Sequence, residues 1–391
     1  MSATPLSSIR VVELSHMIMG PSCGMFLAQL GAEVIKVEPP GGDKTRHLTG
    51  MGEPFFAMFN RGKRSVTLAL DTEGGREALQ RLIATADVLV ENFRGDTLKS
   101  MGLDHAALRK RHPRLVIASH KGFLNGPYEN RPAMDEVVQM ASGLAHMTGP
   151  RGRPLRMGSS GNDIMGGLQA AYAVLAALYE REKTGEGATI RIGLFENCLL
   201  LVAQHMVQYE LSGTRPPPMP EREFSWPVYD IFEAGDGKRI FIGVITGGHW
   251  DKLCRLLGLE DLLSDPALAT TMARIDGRDR FLPRIGAAVG ARDFDTLAQG
   301  LETAGIPFAA INEPADMFDD PHVNRPGGLQ TSINWNGKPF RVPSPPYEFE
   351  GAPHPARGLD VPVLGAATRE VLGDLGYEPA EIERLSPEPT R

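Results

Sequence analysis

The stretch 157–197 constrains this chain most, because its run from Ile164 to Tyr179 carries no charge at all. Small residues, Gly158-Ser159-Ser160-Gly161-Asn162, lead into Asp163, and an alanine- and leucine-rich run follows. Cap-type residues before such a run predict a helix starting near Asp163. Glu180-Arg181-Glu182-Lys183 supply a charged last turn and Gly185 the stop. About 20 residues of helix span roughly 30 Å. Apolar residues surround the axis, so the sequence predicts a helix buried on every face. The uncharged run is shorter than the 18 or more apolar residues of a membrane span. A core helix with one carboxylate at its amino end is the expectation.

That carboxylate has two readings. The amino end of a helix holds unpaired N–H groups and partial positive charge, which keep an acid ionised and oriented. Asp163 is then either a helix cap or a carboxylate nucleophile, set beside glycines that let a bulky substrate come close.

A chain of 391 residues accommodates two domains and a sizeable core. Its 42% apolar and 23% charged residues describe an ordinary globular protein, and a net charge of -7 argues against nucleic acid as partner. Cys23, Cys198 and Cys254 have neither disulfide-framework nor metal-ligand spacing. No leader of basic, apolar and small residues opens the chain, so a cytoplasmic protein is expected.

Strands are predicted at Ile9–Leu14 (IRVVEL) and Glu33–Glu38 (EVIKVE), with a helix from Gly20 to Leu30 between them. This is a βαβ unit, the start of a Rossmann-like, doubly wound parallel sheet in the α/β class. The alternation continues through DVLV at 87–90 and LVIAS at 115–119 to a strand at 188–194. A proline-rich linker at 213–225 then separates a large coenzyme-binding domain, 1–212 completed by 325–391, from a smaller α+β domain at 226–324.

The first βα turn, His16-Met17-Ile18-Met19-Gly20-Pro21, lacks the G-x-G-x-x-G fingerprint. Glu38 stands where dinucleotide-binding proteins place a ribose-binding acid, which alone is weak support for a nucleotide-binding oxidoreductase. Lys44, Arg46 and the run Asn60-Arg61-Gly62-Lys63-Arg64-Ser65 form either a phosphate-binding surface or a solvated basic loop. Asn92-Phe93 and Lys121-Gly122-Phe123 each follow a strand, at the carboxyl ends where open α/β sheets bind ligands. Phe93 is there a stacking platform or core, and Lys121 a ligand contact or an exposed cation. Thr246-Gly247-Gly248-His249 reads as a turn or a flexible lid over substrate. No histidine or cysteine cluster suggests a metal, and no G-x-S-x-G elbow supports serine catalysis.

Together these residues resemble the class III CoA-transferases, the family of formyl-CoA transferase, carnitine CoA-transferase and α-methylacyl-CoA racemase. The resemblance lies in GPSCGMFLAQLGAEVIKVEPPGGDKTR, FNRGKRSVTL, ADVLVENF, ASHKGFLNGPY and the GNDIMGG…ALYEREKTGEGA block, in order along nearly the whole chain. It implies that Asp163 is the nucleophile, that Leu68, Asn92, Phe93 and Lys121 lie along coenzyme A, and that Gly247-Gly248 covers the acyl group. Arg46 and Arg64 join the coenzyme contacts as phosphate-binding cations, and His249 joins the substrate loop. The chain departs from formyl-CoA transferase at Ile18 and Pro39, and its Asn92-Phe93-Arg94-Gly95-Asp96 replaces N-F-R-P-G, which argues against formyl or oxalyl specificity. The resemblance further implies an interlocked homodimer, an acyl-CoA donor and a carboxylic acid acceptor. The coenzyme A thioester is then a substrate, and no permanent cofactor, membrane or nucleic acid is involved.

The acids are not fixed by this reading. Arg46, Arg61, Arg156 and His249 are candidates to meet a second carboxylate, which favours small dicarboxylic acids of the succinate or itaconate kind. The rival within the family is a racemase, which needs two bases. Met134 stands where the racemase histidine is expected, and His120 and His146 do not match its position.

Overall fold

The computed structural model describes residues 4–222, 225–351 and 359–387, so residues 223 and 224 of the expected linker lie outside the described residues. Two compact units emerge: Met1–Pro220 with His322–Arg391, and Glu221–Pro321.

Six short, β-branched segments form the sheet of the first unit: β1 (Arg10–Leu14), β2 (Glu33–Glu38), β3 (Lys63–Thr67), β4 (Val88–Glu91), β5 (Val116–Lys121) and β6 (Thr189–Gly193). They run parallel in the order β3-β2-β1-β4-β5-β6. Val11 faces Val34 of β2 on one side and Val88 of β4 on the other. Strand order therefore reverses between β1 and β4, and the connections leave a crevice at their carboxyl ends.

Alternate residues serve opposite faces of the sheet, as the two-residue strand period requires. Val11, Val34, Val88, Val90 and Val116 point to one layer, where α1 (Met19–Gln29) contributes Cys23 and Leu27. Val12, Leu14, Ile35, Leu89 and Ile117 point to the other, against Leu79, Leu82 and Ile83 of α3 (Glu73–Ile83); α2 (Gly52–Phe59) precedes it. Covering both faces makes the strands near-continuous apolar runs.

Three helices complete the first layer and the site: α4 (Asp135–Ser142), α5 (Gly161–Thr184) and α6 (Leu194–Ser212). The predicted long helix is α5, 24 residues closed by Gly185 at φ 77°. Its glycines serve packing. A Cβ on Gly166 would lie 2.6 Å from Met19 Cε, and one on Gly167 would lie 2.7 Å from the Met19 carbonyl oxygen. The missing side chains bring α5 into direct contact with α1. The expectation of burial on every face is corrected: Gly166, Gly167, Ala170, Val174 and Leu178 are buried, whereas Tyr172 and Tyr179 are 70% and 68% exposed. Alanine- and leucine-rich composition conceals which face turns outward.

The second unit is a three-stranded antiparallel sheet, β7 (Val228–Glu233), β8 (Arg239–Val244) and β9 (Phe308–Ala310), in that order. Helices α7 (Gly247–Leu257), α8 (Arg278–Gly290) and α9 (Phe294–Ala304) cover it around Trp250, Phe281, Leu297 and Leu301. The chain then returns to the first unit as a hairpin, β10 (Leu329–Ile333) and β11 (Pro339–Pro343), and two helices, α10 (Thr368–Asp374) and α11 (Pro379–Leu385). Ala367 N–H donates to the Ser65 carbonyl at 3.0 Å, and Leu372 and Leu385 enter the second layer beside β3. Among the described residues no helix is long and apolar enough to cross a membrane.

Candidate active site

A cavity of about 780 Å³ opens at the carboxyl ends of β1, β2, β4 and β5. Its walls come from the turn Ser15–Met19, the strand-end pairs Asn92-Phe93 and His120-Lys121, the start of α4 and the first turn of α5.

Buried charges hold the first turn. Glu13, fully buried, pairs with Lys63 at 2.7 Å and Lys36 at 3.5 Å, and Lys36 reaches Asp43 at 3.0 Å. The two ammoniums also donate to backbone, Lys36 to the Ser15 carbonyl at 2.6 Å and Lys63 to the Pro21 carbonyl at 2.9 Å. Burial opposes every one of these charges, so removing one partner is costly, about 3–5 kcal/mol. Gly24 makes the arrangement possible, since a Cβ there would collide with Glu13 Oε2. Met17, the one non-glycine described residue with a left-handed backbone, sits at φ 62° in this turn and lines the cavity. Its N–H donates to Thr45 Oγ1 at 3.1 Å.

Asn92 ties two strand ends together. Its Oδ1 accepts from His16 N–H at 3.2 Å and its Nδ2 donates to the His16 carbonyl at 2.8 Å. Phe93 stands against the His16 ring at 5.6 Å between centroids. Lys121 Nζ donates to the Phe93 carbonyl at 2.8 Å and to Glu91 Oε1 at 3.3 Å. Burial works to raise the Glu91 pKa, but the His105 hydrogen bond and the Lys121 charge prevail and hold it low.

Asp163 is the third residue of α5 and lines the same cavity. It does not cap its helix: Ser160 is the N-cap position, without a side-chain cap, and no described residue donates a hydrogen bond to the Asp163 carboxylate. The turn is fixed instead by Asn162, which receives Asn197 Nδ2 at 2.7 Å on its Oδ1 and at 2.8 Å on its carbonyl. Burial first, then the Asp135 carboxylate, push the Asp163 pKa up to about 7, while Arg156 pulls it down. Asp135 accepts from Gln139 Nε2 at 2.8 Å and from Arg156 Nη2 at 3.3 Å, and its other oxygen is buried with no partner among the described residues. A carboxylate so placed is under-solvated, hence more nucleophilic than one in water.

Asp163, Asn92, Phe93 and Lys121 thus share one cavity. Three other expected coenzyme contacts are placed elsewhere. Leu68 is fully buried in the second layer, because it continues the apolar face of β3. Arg46 forms a fork on Glu38, both contacts 2.8 Å, and its guanidinium lies 3.8 Å from the Phe56 ring centroid. Arg64 pairs with Glu33 and Glu370. None of the three lines the cavity. Glu38, occupied by Arg46 and Ser65, is not available to a ribose. Gly247-Gly248-His249 form the first turn of α7 in the smaller unit, with Thr246 accepting from His249 N–H. A Cβ on Gly247 would meet Arg274 Nη1 at 4.0 Å and one on Gly248 would meet Thr246 Oγ1 at 3.8 Å, both ordinary contacts.

Sequence reasoning missed Asp135 as a neighbour of Asp163. The signal was present as Asp135-Glu136 opening an apolar run, the pattern of a helix start facing the same crevice. His120, which does not match the racemase position, lines the cavity; its Nδ1 lies 3.2 Å from the Glu91 carbonyl oxygen, and burial lowers its pKa.

With this geometry in hand, similarity to known proteins is informative. The sequence profile of CoA-transferase family III matches residues 6–368. The chain is 32% identical over 400 aligned residues to succinyl-CoA:mesaconate CoA-transferase of Haloarcula hispanica, covering 94% of this chain and 99% of that protein. It is 33% identical to succinate–glutarate CoA-transferase of Agrobacterium fabrum, covering 87% and 92%. The crystal structure of a CAIB/BAIF family protein from Brucella suis superposes with a TM-score of 0.84 at 33% identity, covering 96% of this chain and 100% of that one. With an α/β fold and a profile match each shared across nearly its whole length, this chain belongs to CoA-transferase family III and is a CoA-transferase.

Proposed function

We propose that the enzyme moves coenzyme A between short organic acids by covalent catalysis on Asp163. The observation that carries this reading is the placement of an uncapped, under-solvated carboxylate on the wall of the cavity at the strand-order reversal. The Asp163 carboxylate attacks the thioester carbonyl, the C–S bond breaks, and CoA leaves as thiolate with an acyl-aspartyl anhydride behind it. The thiolate then attacks the aspartyl carbonyl, releasing the donor acid and leaving an aspartyl-CoA thioester. The acceptor carboxylate repeats both steps in reverse. Thioester energy is conserved, so no nucleoside triphosphate is consumed. Each tetrahedral oxyanion needs N–H donors, for which the backbone around Gly158–Gly161 is the candidate.

Asn92, Phe93 and Lys121 lie along the coenzyme in this proposal, with Lys44 adding a cation at the same cavity. The relatives named for succinate, mesaconate and glutarate make short dicarboxylic acids the first to try. The chains pair as an interlocked homodimer, an arrangement that would cover the apolar face left open on α5 and α6.

One observation favours a second reading: His120 lines the cavity with an Nε2 that has no partner among the described residues, as a racemase's second base would require. Incubation of enzyme, a 2-methylacyl-CoA and a free acid in heavy water decides between them. The transferase exchanges the acid and leaves the α-hydrogen in place. Deuterium incorporation without acid exchange sinks the proposal.

A further inference from the structure

Four cationic groups were candidates for a second substrate carboxylate, and their surroundings separate them. Arg46 is buried in its fork with Glu38. Arg61 is buried with its guanidinium on the Met58 carbonyl and the Met25 sulfur. His249 belongs to the smaller unit. Arg156 alone of the four lines the cavity that holds Asp163. Its Nη2 donates to Asp135 Oδ2 and to the Ser159 carbonyl, each at 3.3 Å, in the turn leading into α5. The side chain is 40% exposed. Its Nε and Nη1 have no hydrogen-bond partner among the described residues. A guanidinium tied at Nη2 keeps its positive charge and the N–H donors of Nη1 and Nε for an incoming carboxylate.

The surrounding charges leave that task to Arg156. Lys121 is engaged by Glu91 and the Phe93 carbonyl, and Lys44, also on the cavity wall, is assigned to the coenzyme in the proposed function. Burial lowers the pKa of both His16 and His120, which keeps them neutral near pH 7. Two carboxylates, Asp163 and Asp135, repel any second anion entering here unless a cation meets it. Arg156 is the cation whose charge reaches Asp163.

We infer that Arg156, steadied by Asp135, receives the distal carboxylate of a short dicarboxylic acid while its proximal carboxyl reacts at Asp163. This inference rests on the transferase reading and adds the residue that selects the substrate class. No bond changes at Arg156; it binds and orients, and Asp135 positions it.

The test compares transfer of CoA from acetyl-, succinyl- and butyryl-CoA to carbon-13-labelled succinate and butyrate, acids matched in carbon number, with the labelled acyl-CoA read by mass spectrometry. The wild type prefers succinate, and Arg156→Gln lowers the succinate-to-butyrate ratio of kcat/KM by about 30-fold or more, mainly through KM. Arg156→Lys keeps the charge but has one nitrogen to divide between Asp135 and the substrate, so it folds and falls between the two. A ratio unchanged within about threefold in Arg156→Gln, including an equal loss on both acids, overturns the assignment while transfer itself survives. A wild type that prefers butyrate overturns it as well. No transfer from any of the three donors by the wild type is the separate failure that overturns the transferase reading, and this inference with it.

Discussion

At the residue scale the raised pKa of Asp163 makes two linked predictions. The attacking form is the carboxylate, so with a pKa of about 7 transfer falls as pH drops from 8 to 6 and is close to half-maximal near pH 7. The stability sign runs opposite to that of an ordinary salt-bridged aspartate. A carboxyl whose folded pKa exceeds its unfolded value of about 3.9 binds its proton more tightly when folded, so its contribution is largest below pH 4 and is lost as pH rises through 7. Asp163→Asn should therefore abolish transfer by several orders of magnitude yet unfold later than wild type in denaturant at pH 8, by about 1–3 kcal/mol, with the difference vanishing near pH 4. Near-normal turnover of that variant, or a loss of stability at pH 8, contradicts the account. The position of Asp163 was legible, because small residues before an apolar run mark a helix start. The partners of Arg46 and Arg64 were not. Glu38, Glu33 and Glu370 meet them only when β2, β3 and the carboxyl-terminal helices come together, and a basic run carries no mark of which cations will be neutralised.

Helices and strands were read with unequal success for a physical reason. β1, β2, β4 and β5 are bounded by charged or turn residues and filled with β-branched ones, so they are visible without tertiary information. The facing of α5 was not visible, because Gly166 and Gly167 look like substrate clearance in sequence and turn out to be clearance for α1. The opposite face of α5 and its neighbour α6 expose Leu168, Tyr172, Leu200, Met206 and Leu211, the last at 84%. Exposed apolar side chains on these two helices are the surface that a second chain would cover in the proposed homodimer. Sedimentation should find the wild type at twice the chain mass, and the double variant Tyr172→Glu, Leu211→Glu should shift it towards single chains. A wild type that sediments as one chain at micromolar concentration removes the proposed homodimer.

For the whole molecule, the parallel sheet does most to create the site. Reversal of strand order between β1 and β4 opens a crevice, the strand ends supply Asn92, Phe93 and Lys121, and α4, the turn before α5 and α5 itself bring Asp135, Arg156 and Asp163 to its wall. Asn92 and Lys121 come from strand ends well before Asp163 in sequence, which is why an α/β scaffold was readable early while the neighbours of the nucleophile were not. The account stands or falls on a covalent bond to one side chain. The most direct measurement is mass spectrometry of peptides after incubation with an acyl-CoA donor and hydroxylamine. The account predicts a donor-dependent hydroxamate on Asp163, absent from Asp163→Asn. An unmodified Asp163 peptide from enzyme that is actively exchanging acids, or a hydroxamate on another carboxylate, would contradict it.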